Sequence, residues 1–519
     1  MQKIVIFFYL LFTSSNVFAQ TLGSLDTTFG LNGRVTTSFG DKGSYPSDVL
    51  PLSSGKILLS ASYNFFGSID KCDMGVARLN YNGTIDTTFG VSGKTNTKIG
   101  TMSSYTNAIA LQSNGKIVLI GSTENTGYAL VRHQTNGILD STFGINGKVI
   151  SDFNRTTATY ISDMLIQNDD KILSSGSHKL SNNDDSQSFL VRYNANGSLD
   201  TTFNRTGKII MQLAQGKDDG INKINLQADN KIIACASIST ITNVTLDKDC
   251  QLIRFNTNGT IDSSFSLTGK LTIKDFDLHS SKVLSNGKIL VSGVSGLNDL
   301  EVLTLFQFNS DGSPDVTFGI NGKVAYSSRL FFEGTTSMVV QRDGKIVVLI
   351  IGDGFINPNI IVIRYNSNGQ FDYTFGTNGM TRTPLLLPRE SYGKIAMQED
   401  AKVIAIGAYL KPTNYFGIVL SRFNNAPSVG TKSLNKNTPL SIFPNPTTNV
   451  LNIDFKEPIN EAIKLTITDI AGRVVYQKNY DKDLINNGLQ INTLNFKAGL
   501  YVVNIVSDKE NISQIIAKQ

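Results

Sequence analysis

The side chains that could do chemistry are few in this chain of 519 residues. Its three histidines, His133, His178 and His279, stand singly in different stretches, of which the last two are turn-like, and each favours a structural or solvated role. No nucleophile, zinc-protease or phosphate-loop motif is present in a supporting context. Adjacent carboxylates occur in polar stretches, but neighbouring side chains tend to diverge: Asp169-Asp170, Asp184-Asp185 and Asp218-Asp219. We therefore expect no catalytic, cofactor-binding or metal-binding residue, and favour a non-enzymatic protein over an enzyme.

What dominates the sequence is a D-x-x-F element that recurs seven times, at intervals of 53 to 62 residues. The copies are Asp26/Phe29, Asp86/Phe89, Asp140/Phe143, Asp200/Phe203, Asp262/Phe265, Asp315/Phe318 and Asp372/Phe375. The recurrence invites an interpretation as ligands around a ring. An Asx-type turn at the aspartate and a phenylalanine wedged between sheets explain it better, because every copy keeps both residues.

Two further elements share this period. A turn followed by lysine and an apolar run occurs seven times, at Lys56, Lys116, Lys171, Lys231, Lys288, Lys345 and Lys402. An apolar strand that ends in Arg-x-Asn occurs at Arg78, Arg192, Arg254, Arg364 and Arg422, with degenerate copies at Arg132 and Gln307. We interpret the repeated arginine as an anchor between neighbouring repeats.

Each period contains four short strand-like runs separated by Gly, Asn, Ser and Asp, and no helical run. Runs such as Ile346 to Ile351 are apolar on both faces, as expected of a strand packed between two sheets. The sequence therefore predicts an all-β fold, a seven-bladed β-propeller over residues 20–425. The ends are complementary: Asp26 lacks a preceding Arg-x-Asn strand, and Arg422 lacks a following D-x-x-F element. Closure of a ring is thus favoured over an open β-solenoid, whose stacking the unequal intervals would disturb.

Charged residues make up only 17% of the chain, and the net charge of +5 is spread without a long basic run, which excludes a nucleic-acid binder.

At the start of the chain, Lys3 precedes an apolar run from Ile4 to Phe12 and a polar stretch that ends in Ala19. This order predicts a signal peptide over residues 1–19, cleaved between Ala19 and Gln20. No later segment is long and apolar enough to predict a transmembrane span.

An exported chain can form disulfides, but three cysteines allow one bridge at most. Cys235 and Cys250 lie in what we predict to be adjacent antiparallel strands. A bridge between them and two unpaired thiols that act as small hydrophobic side chains both remain open. Cys72 is left over in either case.

The repeat stops after Asn425. Residues 426–439 predict an exposed linker, and residues 440–519 contain alternating runs separated by turns, as in a small Ig-like β-sandwich.

The repeat resembles a known family. The pieces Leu25-Asp26-Thr27-Thr28-Phe29-Gly30, Asn146-Gly147-Lys148-Val149 and Val191-Arg192-Tyr193-Asn194 are similar to the bacterial delta-60 repeat, a β-propeller family of uncharacterised function. The resemblance covers residues 22–425 and implies no catalytic residue.

The tail resembles the C-terminal sorting domain of the type IX secretion system of Bacteroidetes. Its matching residues are Pro444, Asn445, Pro446, Asp469, Gly472, Gly499, Tyr501 and Lys518. The resemblance implies that the secretion machinery recognises residues 440–519, that the cargo passes through the periplasm, and that it ends on the outer-membrane surface or is secreted.

Taken together, these features predict an exported, monomeric binding or adhesion protein with an unknown glycan or protein ligand and no cofactor. We expect the ligand at loops that differ between copies, such as Tyr63 to Asp73, Ser177 to Ser188, Ser237 to Asp249 and Asp353 to Asn359. The absence of tryptophan favours a protein or mixed ligand, with Tyr63, Phe65 and Phe66 as a possible platform. Two alternatives stay open: a polysaccharide lyase or glycoside hydrolase with carboxylates at the channel, and a structural spacer in a surface layer.

Overall fold

The computed structural model describes most of the chain after residue 20. The described residues are 21–40, 43–63, 72–101, 103–124, 127–151, 153, 159–181, 184–241, 246–296, 302–326, 337–352, 359–387, 389–425, 440–444, 447–455, 462–469, 473–482, 488–506 and 511–518. Ala19, Gln20, the linker 426–439, Asn445, Pro446 and Gly472 lie outside them. The chain divides into two compact units, Met1–Ala426 and Pro427–Gln519.

The first unit consists of short strands and one 3-10 turn at Phe265–Leu267. The strands are β1 Arg34–Thr37, β2 Ser44–Pro51, β3 Ile57–Tyr63, β4 Asp73–Leu79, β5 Lys94–Thr97, β6 Ser104–Leu111, β7 Ile117–Thr123, β8 Gly127–His133, β9 Lys148–Ser151, β10 Thr159–Ile166, β11 Ile172–His178, β12 Gln187–Tyr193, β13 Lys208–Met211, β14 Asp218–Leu226, β15 Ile232–Ile241, β16 Leu246–Phe255, β17 Lys270–Ile273, β18 Phe276–Val283, β19 Ile289–Ser295, β20 Val302–Phe308, β21 Lys323–Tyr326, β22 Ser337–Val340, β23 Ile346–Gly352, β24 Asn359–Tyr365, β25 Met380–Pro384, β26 Ser391–Met397, β27 Val403–Leu410 and β28 Phe416–Phe423.

Within the described residues, these strands form seven four-stranded antiparallel sheets, each a blade. Six blades take four consecutive strands, from β2–β5 to β22–β25, whereas β26, β27 and β28 are completed by β1. In that last sheet Arg34 lies opposite Ser421 and Thr37 opposite Ile418. The two complementary ends of the repeat therefore meet in one blade, and the all-β propeller fold is confirmed.

The first strand of each blade lies innermost. These strands, β2, β6, β10, β14, β18, β22 and β26, contact one another in order, and β26 contacts β2, so that they surround a central channel. We call the end at which they begin the loop face, because the variable β3–β4, β7–β8 and equivalent connections lie there. The other end, which carries the tight turns before the repeated lysine and the D-x-x-F elements, is the turn face.

Blades adhere through the apolar side chains of their middle strands. One buried cluster joins Leu58 and Val76 of the first blade to Leu119 and Ala129 of the second. Since each middle strand faces two neighbouring sheets, both of its faces must be apolar, as the sequence pattern predicts.

On the turn face, the three repeated sequence elements meet in one junction. In the second blade, Asp140 Oδ2 accepts a hydrogen bond from Arg132 Nε at 2.7 Å and pairs with Lys116 Nζ at 2.9 Å. Its Oδ1 accepts a hydrogen bond from the Thr142 hydroxyl at 2.7 Å, as in an Asx turn. The Arg132 guanidinium lies 4.6 Å from the Phe143 ring centroid and donates to the Ala195 carbonyl of the next repeat at 2.6 Å.

The same aspartate–lysine contact recurs in every blade, at Asp26–Lys402, Asp86–Lys56, Asp140–Lys116, Asp200–Lys171, Asp262–Lys231, Asp315–Lys288 and Asp372–Lys345. The aspartate thus does more than form the Asx turn expected from the sequence, because it also carries an ion pair. These contacts give the repeated residues a structural role in joining blades.

The phenylalanine of each D-x-x-F element packs against the following repeat. All seven rings are buried: Phe29, Phe89, Phe143, Phe203, Phe265, Phe318 and Phe375. A Cβ added at Gly259 would lie only 2.9 Å from Phe203 Cε2, and one added at Gly369 would lie 3.0 Å from Phe318 Cε2. The rings therefore occupy the wedge-like position between repeats that the sequence predicts.

The seventh ring makes this contact across the two ends of the chain. A Cβ added at Gly23, near the start of the propeller, would lie 3.2 Å from Phe375 Cζ. Phe375 therefore packs against the segment that precedes the first D-x-x-F element.

An arginine guanidinium lies over the phenylalanine ring of the D-x-x-F element, a contact that the sequence did not predict. The Arg192 guanidinium lies 4.5 Å from the Phe203 ring centroid, and that of Arg364 lies 4.6 Å from the Phe375 centroid. Phe318 differs from these two, because Gln307 stands where the arginine would be. There Lys288 Nζ approaches Asp315 Oδ2 to 2.6 Å.

The C-terminal unit forms two sheets in the described residues, ordered β29-β30-β33 and β32-β31-β34-β35. Their strands are β29 Leu440–Phe443, β30 Val450–Phe455, β31 Ile463–Asp469, β32 Val474–Tyr480, β33 Leu489–Asn492, β34 Gly499–Val506 and β35 Asn511–Lys518. Leu451, Leu465 and Val503 lie in its core. Asp469 Oδ2 accepts a hydrogen bond from Arg473 Nε at 2.8 Å, and the Tyr501 hydroxyl donates to the Lys497 carbonyl at 2.7 Å. No helix among the described residues has the length and apolar character needed to cross a membrane.

Candidate binding site in the ring channel

Two of the histidines lie in the packed interior of blades. His133 is fully buried in β8, where its Nε2 lies 3.0 Å from the Thr97 hydroxyl, and burial lowers its pKa to about 4. His178 is the last residue of β11, not part of a turn as the sequence suggested, and its ring centroid lies 4.8 Å from that of Phe153.

The adjacent carboxylates do not converge either. Asp218 and Asp219 belong to strand β14, not to a polar loop, and Asp219 Oδ1 accepts the Ser188 backbone N–H at 2.7 Å. Asp170 accepts the Ser113 backbone N–H at 2.6 Å. Both contacts join a carboxylate to the backbone of a neighbouring blade. Among the described residues, no three His, Cys, Asp or Glu side chains are grouped so that they could hold a metal ion.

The candidate bridge between Cys235 and Cys250 is absent, and both are buried free thiols; Cys72 is buried as well. They do lie on the adjacent strands β15 and β16, but Cys235 is opposite Leu252 and Cys250 is opposite Ser237. Such diagonal positions lie about 7–8 Å apart, whereas a disulfide needs Cβ atoms about 3.5–4.5 Å apart. Cys235 and Cys250 are therefore two unpaired thiols that pack as small hydrophobic side chains, the second of the two interpretations that the sequence left open.

The channel contains charged side chains that the sequence analysis did not single out. A β-bulge interrupts the pairing of β2, β6, β10, β14, β18 and β26 with the next strand, directly before one position. With the equivalent residue of β22, that position is occupied by Asp48, Ala108, Asp163, Lys223, Ser280, Ser337 and Lys394. We call these seven residues the channel ring. Most of them line a cavity of about 650 Å³.

One signal in the sequence could have found them. Every channel-ring residue stands eight positions before the repeated lysine of its own blade, as Asp48 does before Lys56 and Lys223 before Lys231. Aligning the seven copies on that lysine places two acids and two lysines at a position where the other copies have alanine or serine.

The two carboxylates of the channel ring already have partners. Lys394 Nζ lies 3.4 Å from Asp48 Oδ2. Asp163 Oδ2 accepts the Ile224 backbone N–H of the next blade at 3.0 Å, and the Ser337 hydroxyl likewise accepts the Ile395 N–H at 3.1 Å. The ring is therefore held in place by hydrogen bonds between neighbouring blades.

Lys223 differs from Lys394. No described residue accepts a hydrogen bond from its ammonium group. Burial, followed by the positive charge of Lys394, lowers the pKa of Lys223. Burial would also lower the pKa of Lys394, but the charges of Asp48 and Asp163 raise it. Lys282, two positions further along β18 than the channel ring, also faces this cavity but is exposed to solvent.

Three tyrosines lie at the loop face. Tyr45, Tyr105 and Tyr160 occupy the same position of three consecutive inner strands, three residues before the channel ring, and are 39%, 37% and 59% exposed. Across from them, His279 Nε2 lies 3.5 Å from Asp277 Oδ2 in β18, so this histidine belongs to an inner strand and not to a turn. Tyr63 lies at the same face, whereas Phe65 and Phe66 are outside the described residues.

Two family models match the chain. One, described as a domain of unknown function (DUF5122) beta-propeller, matches residues 52–89, 112–143, 167–203, 227–265, 284–318 and 341–375, and the other, a secretion system C-terminal sorting domain, matches residues 441–519. The chain is a β-propeller protein of this repeat family with a type IX sorting domain. Each of the six matches begins four residues before the repeated lysine and ends at a D-x-x-F phenylalanine: Phe89, Phe143, Phe203, Phe265, Phe318 and Phe375. The seventh such stretch is divided between the two ends of the ring, with Lys402 at one and Phe29 at the other.

The sorting domain accounts for where the protein goes: it is exported through the periplasm to the cell surface or secreted. No curated protein matches the chain. Similar solved structures include a family PL25 ulvan lyase, with 11% identity over 76% of this chain and 96% of that one and a TM-score of 0.42. The polysaccharide lyase Uly1 has 12% identity over 79% and 98%, with a TM-score of 0.40. The intramolecular trans-sialidase of Ruminococcus gnavus has 10% identity over 78% and 97%, with a TM-score of 0.32. Similarities this distant carry no information about the ligand of this chain.

Proposed function

We propose that this exported β-propeller is a non-enzymatic binding protein that takes a surface glycan or protein at its loop face, where the channel opens. The observation that carries the proposal is that Tyr45, Tyr105 and Tyr160 lie partly exposed at the same position of three neighbouring blades, on the loop face. Partly exposed tyrosines combine an apolar ring with a polar hydroxyl, and such side chains are enriched at binding surfaces. The variable loops lie at this same face, whereas the turn face is occupied by the junctions that join the blades.

Glycan and protein arrays test this proposal with the chain that lacks residues 1–19. A ligand found there should lose at least about tenfold in affinity when all three tyrosines are replaced by alanine, because exposed aromatic residues at interface centres dominate affinity. The matched control replaces Leu31, Val91 and Ile145, three exposed side chains on the turn face, with alanine. The absence of any ligand on both arrays, or an equal loss of affinity in the two triple variants, would contradict the proposal.

One observation supports a second candidate, a polysaccharide lyase or glycoside hydrolase. Asp48 and Asp163 lie in the same cavity, and glycoside hydrolysis commonly uses two carboxylates. Their engagement with Lys394 and the Ile224 N–H favours the binding proposal. Incubation with acidic and neutral polysaccharides decides between them: product formation that Asp48→Asn and Asp163→Asn both abolish would establish an enzyme.

A further inference from the structure

The channel cavity has an imbalance of charge. Lys223, Lys282 and Lys394 line it together with the carboxylates of Asp48 and Asp163, which leaves one positive charge in excess when His279 is neutral. In a partly enclosed site, where the dielectric is lower than in bulk water, charges interact more strongly than they do in water. The excess therefore favours one added negative charge.

The unbalanced charge can be assigned to one half-buried residue. Lys394 is paired with Asp48, and Asp163 is held by the Ile224 N–H, so that Lys223 is left without an acceptor among the described residues. Burial of an ammonium group is unfavourable without a partner. The lowered pKa of Lys223 has the same cause.

We propose that the channel binds one monoanionic group of the ligand, a carboxylate or a sulfate ester, against the ammonium group of Lys223. A dianion fits less well, because the two carboxylates of the channel ring repel a second negative charge. The inference rests on the proposed function, since the rest of the ligand lies towards the tyrosines. At about 3.3 Å per strand residue, these are roughly 10 Å from the channel ring, a span of one or two sugar rings.

The test compares three small probes in NMR chemical-shift titrations: D-glucuronate for a carboxylate, D-galactose 6-sulfate for a sulfate ester, and D-glucose as the neutral control. At least one acidic probe should bind and glucose should not. Lys223→Met should weaken the acidic probe by at least about tenfold, because it removes the charged partner. The control Lys323→Met, an exposed lysine on an outer strand, should leave its affinity unchanged.

A second variant gives an effect of opposite sign. Asp163→Asn keeps an oxygen that can accept the Ile224 N–H and removes one negative charge, so acidic probes should bind several-fold more tightly. Equal binding of acidic and neutral probes, no binding of either acid, or unchanged affinity in Lys223→Met would overturn the inference. These results would leave the proposed function intact if binding on the arrays still depends on the three tyrosines. If the arrays show no ligand, the proposed function itself is contradicted.

Discussion

Arg422 Nε donates a hydrogen bond to Asp26 Oδ2 over 2.7 Å and so joins two residues 396 positions apart. Both side chains are buried. The same carboxylate oxygen pairs with Lys402 Nζ at 2.8 Å, and the Arg422 guanidinium lies 4.5 Å from the Phe29 ring centroid. In the other blades that have the arginine, it stands eight residues before its aspartate, as Arg132 does before Asp140. The ring is therefore closed by the same junction that joins its blades, here divided between the chain ends.

Asp26→Asn should destabilise the closed ring. Breaking a buried ion pair by removing one partner costs about 3–5 kcal/mol, because the other charge is left buried. Urea unfolding should show this loss, and limited proteolysis should release β1 more readily. The control is Asp469→Asn, whose partner Arg473 is largely exposed, and it should cost less than about 1 kcal/mol. Wild-type stability and protease resistance in Asp26→Asn would show that the pair does not close the ring.

Acid should lower the stability of the closed propeller between about pH 4 and pH 2. Burial alone would raise the pKa of Asp26, but hydrogen bonds from Lys402 and Thr28 and the charge of Arg422 lower it from 3.8 to about 2. The pKa values of Asp200 and Asp372 are also lowered to about 2, because hydrogen bonds and the nearby arginine outweigh burial.

Since these folded-state values lie below the unfolded value, the unfolded chain binds more protons within this window, and the free energy of unfolding falls as the pH falls. Urea midpoints measured from pH 7 down to pH 2 check this. A midpoint that stays constant below pH 4 would contradict it.

Gly137→Ala should loosen the contact between two repeats. Gly137 has φ of +89°, and an added Cβ would lie 2.9 Å from both Gly90 N and Phe89 Cζ, which belong to the preceding repeat. We expect a loss of about 1–2 kcal/mol from backbone strain and a further 1–3 kcal/mol from overpacking. Gly216→Ala separates the two effects, because its φ is +72° and no heavy atom lies within 4 Å of the added Cβ. Unfolding free energies should differ between these variants, and equal losses would rule out the packing contribution.

The sequence predicts the fold well because the repeated residues are those that build it. Asp140, Arg132, Lys116 and Phe143 meet in one junction, so that their common period reports the spacing of blades. The channel residues cannot be found from this period. Asp48, Asp163 and Lys223 occupy one position of the repeat but differ in charge, and only the bulge and the ring bring them together. Where copies differ, periodicity gives no signal, and an alignment of the blades is required.

The cysteines are a second case that the sequence could not decide. It predicts that their two strands are neighbours, but it does not predict the register of the pairing. With Cys235 opposite Leu252, the two sulfurs of this pair occupy diagonal positions. Burial raises the pKa of the Cys235 thiol to about 12, and burial together with the charge of Asp73 raises that of Cys72 to about 11. Thiolates are the reactive form, so these thiols should be inert in the folded protein.

Titration with Ellman's reagent should therefore detect no thiol in the native chain and all three in guanidinium without reductant. A sample treated with reductant and desalted serves as the control and should give the same count. A bridge would appear as two thiols missing before reduction, and its loss would lower the melting temperature. Because diagonal positions keep the sulfurs apart while the strand register holds, we expect reductant to leave the melting temperature unchanged.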